Sequence, residues 1–375
     1  MLGVGRLALS SFGLRRNANL TPKLQAPEKR RDKKDLVSFL EALNSVLDGR
    51  PWLDCTFVNA LEGDYLGGGA TFIVRRHIVQ RRIHSPPHRK VPGDVVVLKI
   101  ARDGFSDGQI SSEDTTTEQI EALIREILIL THPPVRSSPS IVDLLKLLFE
   151  FDGGLLRPVL ILEYADIGTL SDFLHSENMV GLDTKDGFCK DIARGLHTLH
   201  KSGIVHGDIK CDNVLLFRTD NDEIAAKLTD FGFSTLLSEV ENGSSVKVGG
   251  TDPFRAPEAE EAVPKTMIHK TDYYSLGMLV WQMLLPGCPD PFACSPFDIH
   301  LGVGSATAWK RDVLRAKQSP DFLDDVMTSL RTHCHLEENS PFERMLCQLL
   351  CYSPGQRNAA AALDTFDSSI ASDFL

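Results

Sequence analysis

The sequence predicts an α+β protein in two parts, a small strand-rich part followed by a larger, mainly helical one. Three observations lead there. The 375 residues suffice for two bodies with substantial cores. From about Leu53 to Leu162 the chain reads as short β-branched segments around one long helix. From Glu163 onward helical periodicity dominates, and no internal repeat points to a further domain.

Residues 1–34 form a basic arm, expected to lack fixed structure. The arm holds nine Lys/Arg and two acidic residues, a balance of +7, so the rest of the chain carries −18 of the formal −11 total. An acidic body excludes broad electrostatic binding of nucleic acid. Residues 1–25 contain four Arg/Lys, several Ser/Thr and no acid, a composition that fits a mitochondrial leader. Gly and Pro interrupt its amphipathic pattern, so a cytoplasmic or nuclear location is expected and mitochondrial targeting is the alternative.

Residues 35–52 are expected to be an amphipathic helix and linker, with Leu36, Phe39, Leu40, Leu43 and Leu47 on one face. Tyr65 to Val79, a glycine cluster followed by β-branched residues, predicts a hairpin. Arg81 to Gly93 is basic and proline-rich, a loop insertion. Val95 to Leu98 predicts a buried strand closed by Lys99, and Val159 to Leu162 another. Thr117 to Thr131 carries Ile120, Leu123, Ile124, Ile127, Leu128 and Leu130 at helical spacing. Leu276 to Leu285 is strongly apolar but far shorter than the ~20 residues a bilayer demands, so it predicts a buried helix and no transmembrane segment.

The eight cysteines include no Cys-x-x-Cys pair, which fits neither a zinc site nor a disulfide framework and suits a reducing compartment. Cys347 and Cys351 are expected on the core face of a helix. No metal is expected at His333-Cys334-His335.

The strongest chemical signal is His206-Gly207-Asp208-Ile209-Lys210-Cys211-Asp212-Asn213, followed by the apolar Val214-Leu215-Leu216. An Asp able to take a proton from a hydroxyl precedes by five positions an Asn able to ligate Mg²⁺. Asp230-Phe231-Gly232 follows, and Ala256-Pro257-Glu258 comes 26 residues after Asp230. Each triplet alone would mean little; in this order and spacing they are highly specific. The chain here resembles the eukaryotic protein kinases, from about Leu53 to the C-terminus.

The resemblance implies a kinase-type bilobal fold, residues 53–375, with the small lobe at 53–162 and the hinge and large lobe at 163–375. It implies ATP with Mg²⁺, or Mn²⁺, and transfer of the γ-phosphoryl group to Ser/Thr hydroxyls of protein substrates. Asp208 resembles the base, Lys210 the cation beside the moving phosphoryl group, and Asn213 and Asp230 the metal ligands. Lys99 resembles the strand lysine that pairs with the α/β-phosphates, with Glu126 as its helix partner and Glu118 and Glu121 as weaker candidates. Leu66, Gly67, Gly69 and Val74 resemble the glycine-rich loop. That loop departs from the family's pattern: Thr71 stands at the usual aromatic tip and Phe72 at the third glycine, so Phe72 is expected to supply the tip one place late. Glu163 and Ala165 resemble the adenine-reading hinge, with Leu162 as gatekeeper and Val74, Val97 and Leu215 around the ring. Gly250 to Glu258 resembles the substrate-docking segment, with Thr251 bonding near Asp208 and Lys210. Asp272 resembles the residue that orients the catalytic-loop backbone, and Arg357 the partner of Glu258.

Gly207 stands where many relatives carry an arginine that clamps a phosphorylated activation segment, so strict dependence on that phosphorylation is not expected. Two rival functions remain. His-Gly-Asp also occurs in small-molecule kinases similar to the aminoglycoside and choline kinases, although Asp230-Phe231-Gly232, the 250–258 segment and Arg357 belong to the protein-substrate pattern. A pseudokinase acting as a scaffold would be marked by losses at Lys99, Asp208, Asn213 or Asp230, and all four are present. The sequence offers no oligomerisation face, so a monomer or weak self-association is expected.

Overall fold

A computed structural model describes residues 56–59, 62–68, 72–78, 95–102, 105–106, 109–110, 117–152, 155–176, 180–300 and 305–358. The basic arm, the 35–52 helix and linker, the 81–93 insertion and Gly69 lie outside them. The described chain divides into two units, one of residues 56–132 and 142–164, the other of 133–141 and 165–358.

The first unit is built on one sheet, β1 (Thr56–Asn59), β2 (Asp64–Gly68), β3 (Phe72–Ile78), β4 (Val95–Ala101), β5 (Phe105–Ser106), β6 (Gln109–Ile110), β7 (Leu144–Asp152) and β8 (Leu155–Glu163). The main path runs β1-β7-β8-β4-β3-β2, with β5 paired to β8 and β6. All contacts along it are antiparallel except β1 with β7. The run VVVLKIA makes β4 a central strand because β-branched and aliphatic side chains suit a sheet covered on both faces. Val96, Leu98 and Ile100 project to one side and pack with Leu148 and Val159. Helix α1 (Thr117–Thr131) has the predicted bounds and buries Leu123, Ile124, Ile127, Leu128, Ile129 and Leu130.

Two expectations are corrected here. Lys99 does not close a strand at Leu98; it lies inside β4, which continues to Ala101. Strand β7 was not anticipated, because Leu144–Asp152 lacks a two-residue alternation strong enough to separate strand from buried helix.

The second unit is mainly helical, with α2 (Pro133–Arg136), α3 (Leu170–Ser176), α4 (Leu182–Lys201), α5 (His269–Leu284), α6 (Ala306–Lys317), α7 (Phe322–Cys334) and α8 (Pro341–Leu349). Its short strands are β9 (Gly168–Thr169), β10 (Ile204–Val205), β11 (Val214–Arg218), β12 (Ile224–Leu228), β13 (Thr235–Leu236), β14 (Ser245–Lys247) and β15 (Ala262–Pro264). Helix α5 is the axis: 13 of its 16 residues are buried, as expected of a helix that is apolar all round. A Cβ at Gly277 would meet Leu350 Cδ2 at 2.7 Å, so glycine there lets α8 and the turn after it approach closely. Trp281, Phe292, Phe297 and Phe322 form one aromatic cluster beside α5.

The cysteine expectation fails: Cys347 is exposed on α8, and Cys351 lies half-buried beyond its end. Among the described residues no helix is long and apolar enough to cross a membrane.

Candidate active site

Antiparallel register places Val74 opposite Lys99 and Arg76 opposite Val97. On the other side of β4, Lys99 faces Leu160 and Val97 faces Leu162. Directly paired residues share a face of a sheet. Val74, Val97, Lys99, Leu160 and Leu162 therefore line one face, and the apolar cluster of Val96, Leu98 and Ile100 lies on the other.

On the first face Lys99 Nζ lies 2.7 Å from Glu126 Oε1 and 2.9 Å from Oε2, with both side chains buried. Glu126 is thus the helix partner, as expected. Phe72 is not at a loop tip. It begins β3, is buried, and holds its ring 4.6 Å from Lys99 Nζ. An apolar ring placed first in a core-facing strand follows the strand's own alternation, which overrides the loop pattern. Leu66 is half exposed at a bulge where β2 shifts register between Tyr65 and Gly67, and Gly67 pairs with Val74. Glu163 is buried, and its Oε1 accepts from the Asp143 amide at 2.8 Å, so its carboxylate pins the start of β7.

In the second unit, Ile204, Val205, Ile209 and Cys211 are fully buried and anchor the loop that carries Asp208. Asp272, in the first turn of α5, fixes the backbone above them. Its Oδ2 accepts from the His206 amide and its Oδ1 from the Gly207 amide, both at 2.8 Å. His200 Nε2 stands 2.8 Å from the same Oδ2. Burial alone would raise the Asp272 carboxyl; the His200 hydrogen bond and charge, with His206 and the Gly207 amide, outweigh it and hold the group below its usual range.

The loop's side chains then converge. The Asp208 amide donates to His206 Nδ1 at 3.2 Å, which leaves Nε2 as the protonated nitrogen facing the Thr229 carbonyl at 3.1 Å. Asn213 Nδ2 donates to the Asp208 carbonyl at 2.8 Å and to Asp208 Oδ2 at 2.9 Å. Lys210 Nζ lies 2.9 Å from Asp208 Oδ2 and donates to Thr251 Oγ1 at 2.8 Å. Asp208 Oδ1 is buried without a hydrogen-bond partner among the described residues.

Asp230 takes a left-handed backbone, φ 63°, directly before the buried Phe231, whose ring lies 5.3 Å from that of His206. The buried Ser234 hydroxyl donates to the His206 carbonyl at 3.1 Å, tying the following segment to the loop. Gly207 has φ +80°, and a Cβ there would sit 2.6 Å from the Phe233 carbonyl oxygen. Glycine is thus demanded by the backbone. Arg357 makes a two-pronged pair with Glu258, Nη1 to Oε1 and Nη2 to Oε2, the latter at 2.9 Å. Ala165 is buried and Leu215 half-buried on β11.

Several contributors carried no motif. His200, Ser234 and the His206 tautomer were not foreseen; a histidine six positions before the His-Gly-Asp triplet was the one available hint.

A family model described as "Protein kinase domain" matches residues 99–365. The chain belongs to the protein kinase family. Among curated relatives, the kinase is similar to the probable leucine-rich repeat receptor-like protein kinase IMK3 of Arabidopsis thaliana, 28% identical over 57% of this chain and 28% of the relative. It is similar to the dual specificity protein kinase zak2 of Dictyostelium discoideum, 31% identical over 45% and 28%. It is also similar to the human serine/threonine-protein kinase ULK1, 32% identical over 41% and 15%. The kinase thus spans less than a third of the length of these relatives.

Proposed function

We propose that this kinase domain is catalytically active and transfers the γ-phosphoryl group of ATP to Ser/Thr hydroxyls of protein substrates. The observation that carries the reading is Asp208. One carboxylate oxygen is held by Lys210 and Asn213, and the other is buried with no hydrogen-bond partner among the described residues. A carboxylate fixed in this way is suited to orient an attacking hydroxyl and take its proton.

The remaining roles follow from donor chemistry. With Asn213 Nδ2 engaged on Asp208, its amide oxygen is the atom left to ligate a divalent cation, and Asp230 supplies a carboxylate. Both are the hard oxygen donors that Mg²⁺ or Mn²⁺ prefers. A bound cation there would neutralise phosphate charge. Lys99, oriented by Glu126, is the cation suited to the α/β-phosphates, and Leu66, Gly67 and Gly69 are the residues that by family resemblance would cover them. By the same family resemblance, Val74, Val97 and Leu162 on the first unit are the apolar residues suited to meet the adenine, whose edge the Glu163 backbone would read; Ala165 and Leu215 carry the matching positions of the second unit. Lys210 stabilises charge on the moving phosphoryl group and is steadied by Thr251. A cation two residues after the base fits the serine/threonine version of the loop.

Glycine at 207 cannot clamp a phosphate. Ordering comes instead from Ser234 on His206, from the β14–β15 pairing, and from an apolar cluster of Val205, Val248, Ala259, Val263 and Ile268. On this reading activity does not strictly require activation-segment phosphorylation.

One observation favours a second reading, a scaffold with weak or no catalysis. The Phe72 ring lies 4.6 Å from Lys99 Nζ, against the ammonium that the enzyme reading assigns to the phosphates. The two readings part on one assay: incubation with radiolabelled ATP, Mg²⁺ and a basic protein, followed by phosphoamino-acid analysis. Label on serine or threonine supports the enzyme; ATP binding without transfer supports the scaffold; label on tyrosine contradicts the Ser/Thr assignment.

A further inference from the structure

Helix α6 is amphipathic, and its buried residues are Trp309, Val313 and Lys317, spaced four apart on one face. Two positions of that stripe are apolar and the third is a lysine with 3% exposure. A buried ammonium is unfavourable unless its hydrogen bonds compensate. The hydrogen-bond partners of this one are informative. Lys317 Nζ donates to the Pro253 carbonyl and, at 2.8 Å, to the Arg255 carbonyl. The carbonyl between them, of Phe254, accepts from the buried Ser275 hydroxyl of α5 at 3.0 Å. Three consecutive carbonyls of the segment that resembles the family's docking segment are therefore held by side chains of two helices. Lys310, the residue after Trp309 and exposed, adds an ion pair to Asp252 at 3.2 Å.

The surroundings of Lys317 fit a cation held on a backbone. Its ammonium lies 5.6 Å from the Tyr274 ring and 5.8 Å from the Phe292 ring. Asp252, Glu258 and Glu260 contribute favourable charge and Arg255 opposes it, while Asp290 also senses the lysine. Among the described residues, the Pro253 and Arg255 carbonyls are the hydrogen-bond partners of Nζ.

We propose that Lys317, seconded by Ser275, is a positioning residue that holds residues 253–255 in the shape that receives the protein substrate. The inference rests on the kinase activity proposed above. It assigns the substrate-receiving shape to a side chain remote in sequence from every catalytic motif. Such a residue acts on capture of the protein substrate and leaves capture of ATP alone.

The test is steady-state transfer to a serine-containing basic peptide, with peptide and ATP titrated separately, for wild type, Lys317→Met and Ser275→Ala. The expected result is a peptide KM higher by about 10-fold or more in Lys317→Met and by about 3-fold in Ser275→Ala, with the ATP KM within about twofold of wild type. A merely structural lysine would move both constants together. A peptide KM unchanged in both variants, or an ATP KM rising in step with it, overturns the inference while the kinase reading stands. If Lys317→Met does not fold, Ser275→Ala decides alone by the same criterion. A wild type that transfers nothing removes the kinase reading and the inference together.

Discussion

Lys99 and Glu126, one on strand β4 and one on helix α1, meet through both carboxylate oxygens at 2.7 and 2.9 Å. The lysine side chain is 10% exposed and the glutamate 2%. Two charges buried this deeply are tolerated because each satisfies the other. Lys99→Met is expected to lower phosphoryl transfer by about 100-fold or more. It also takes the ammonium away from a buried carboxylate, which should destabilise the fold by about 3–5 kcal/mol. Transfer assays and denaturant melts on one preparation check both; wild-type transfer would remove Lys99 from the site.

Arg357 and Glu258 are a second bidentate pair, with the arginine buried and also bonded to the Cys351, Lys270 and Tyr352 carbonyls. Arg357→Ala leaves those acceptors and the carboxylate unmatched. A loss of about 3–5 kcal/mol is expected, which lowers the thermal midpoint by roughly 6–20 °C for a unit of this size. A midpoint within about 2 °C of wild type would show that the pair contributes nothing.

Lys317 gives a pH dependence of definite sign. Burial is the main cause that lowers its pKa to about 7, against 10.5 for an ordinary lysine. Below about 7 the folded and unfolded chains both carry the proton, and the burial penalty is fully present. Between about 7 and 10.5 the unfolded chain binds more protons than the folded one, so stability rises with pH. Melting curves from about pH 6 to 9 should show wild type gaining on Lys317→Met above neutrality. A difference that stays flat contradicts the assignment.

At Gly207 the prediction concerns regulation. A side chain would press on the Phe233 carbonyl from a left-handed backbone, so Gly207→Ala should lose about 1–3 kcal/mol and disturb the Ser234–His206 contact. Phosphatase-treated wild type should keep most of its transfer rate. Complete loss after dephosphorylation would mean that the apolar cluster and the β14–β15 pairing do not suffice.

The legible parts of this kinase were those where chemistry fixes spacing. Thr251 meets Lys210, Asp272 meets the 206–207 backbone and Arg357 meets Glu258 as their motifs implied, and α1 has the bounds its apolar stripe set. What escaped reading depended on three-dimensional neighbours. Phe72 was misplaced because a strand's alternation, and not the glycine motif, decides where its ring goes. Cys347 was misplaced because an apolar stretch does not say which side of a short helix faces the core. Lys317 could not be read at all, since the carbonyls that hold it lie more than 60 positions away.

The central claim is that Asp208 serves as the base of an active protein kinase. The most direct measurement compares phosphate transfer from ATP and Mg²⁺ to a basic protein by wild type and by Asp208→Asn, with ATP affinity measured in parallel. The account predicts incorporation on serine or threonine by wild type, and a loss of about 100-fold or more in the variant at unchanged ATP affinity. Equal transfer by the two proteins, or none by a wild type that binds ATP, would contradict it.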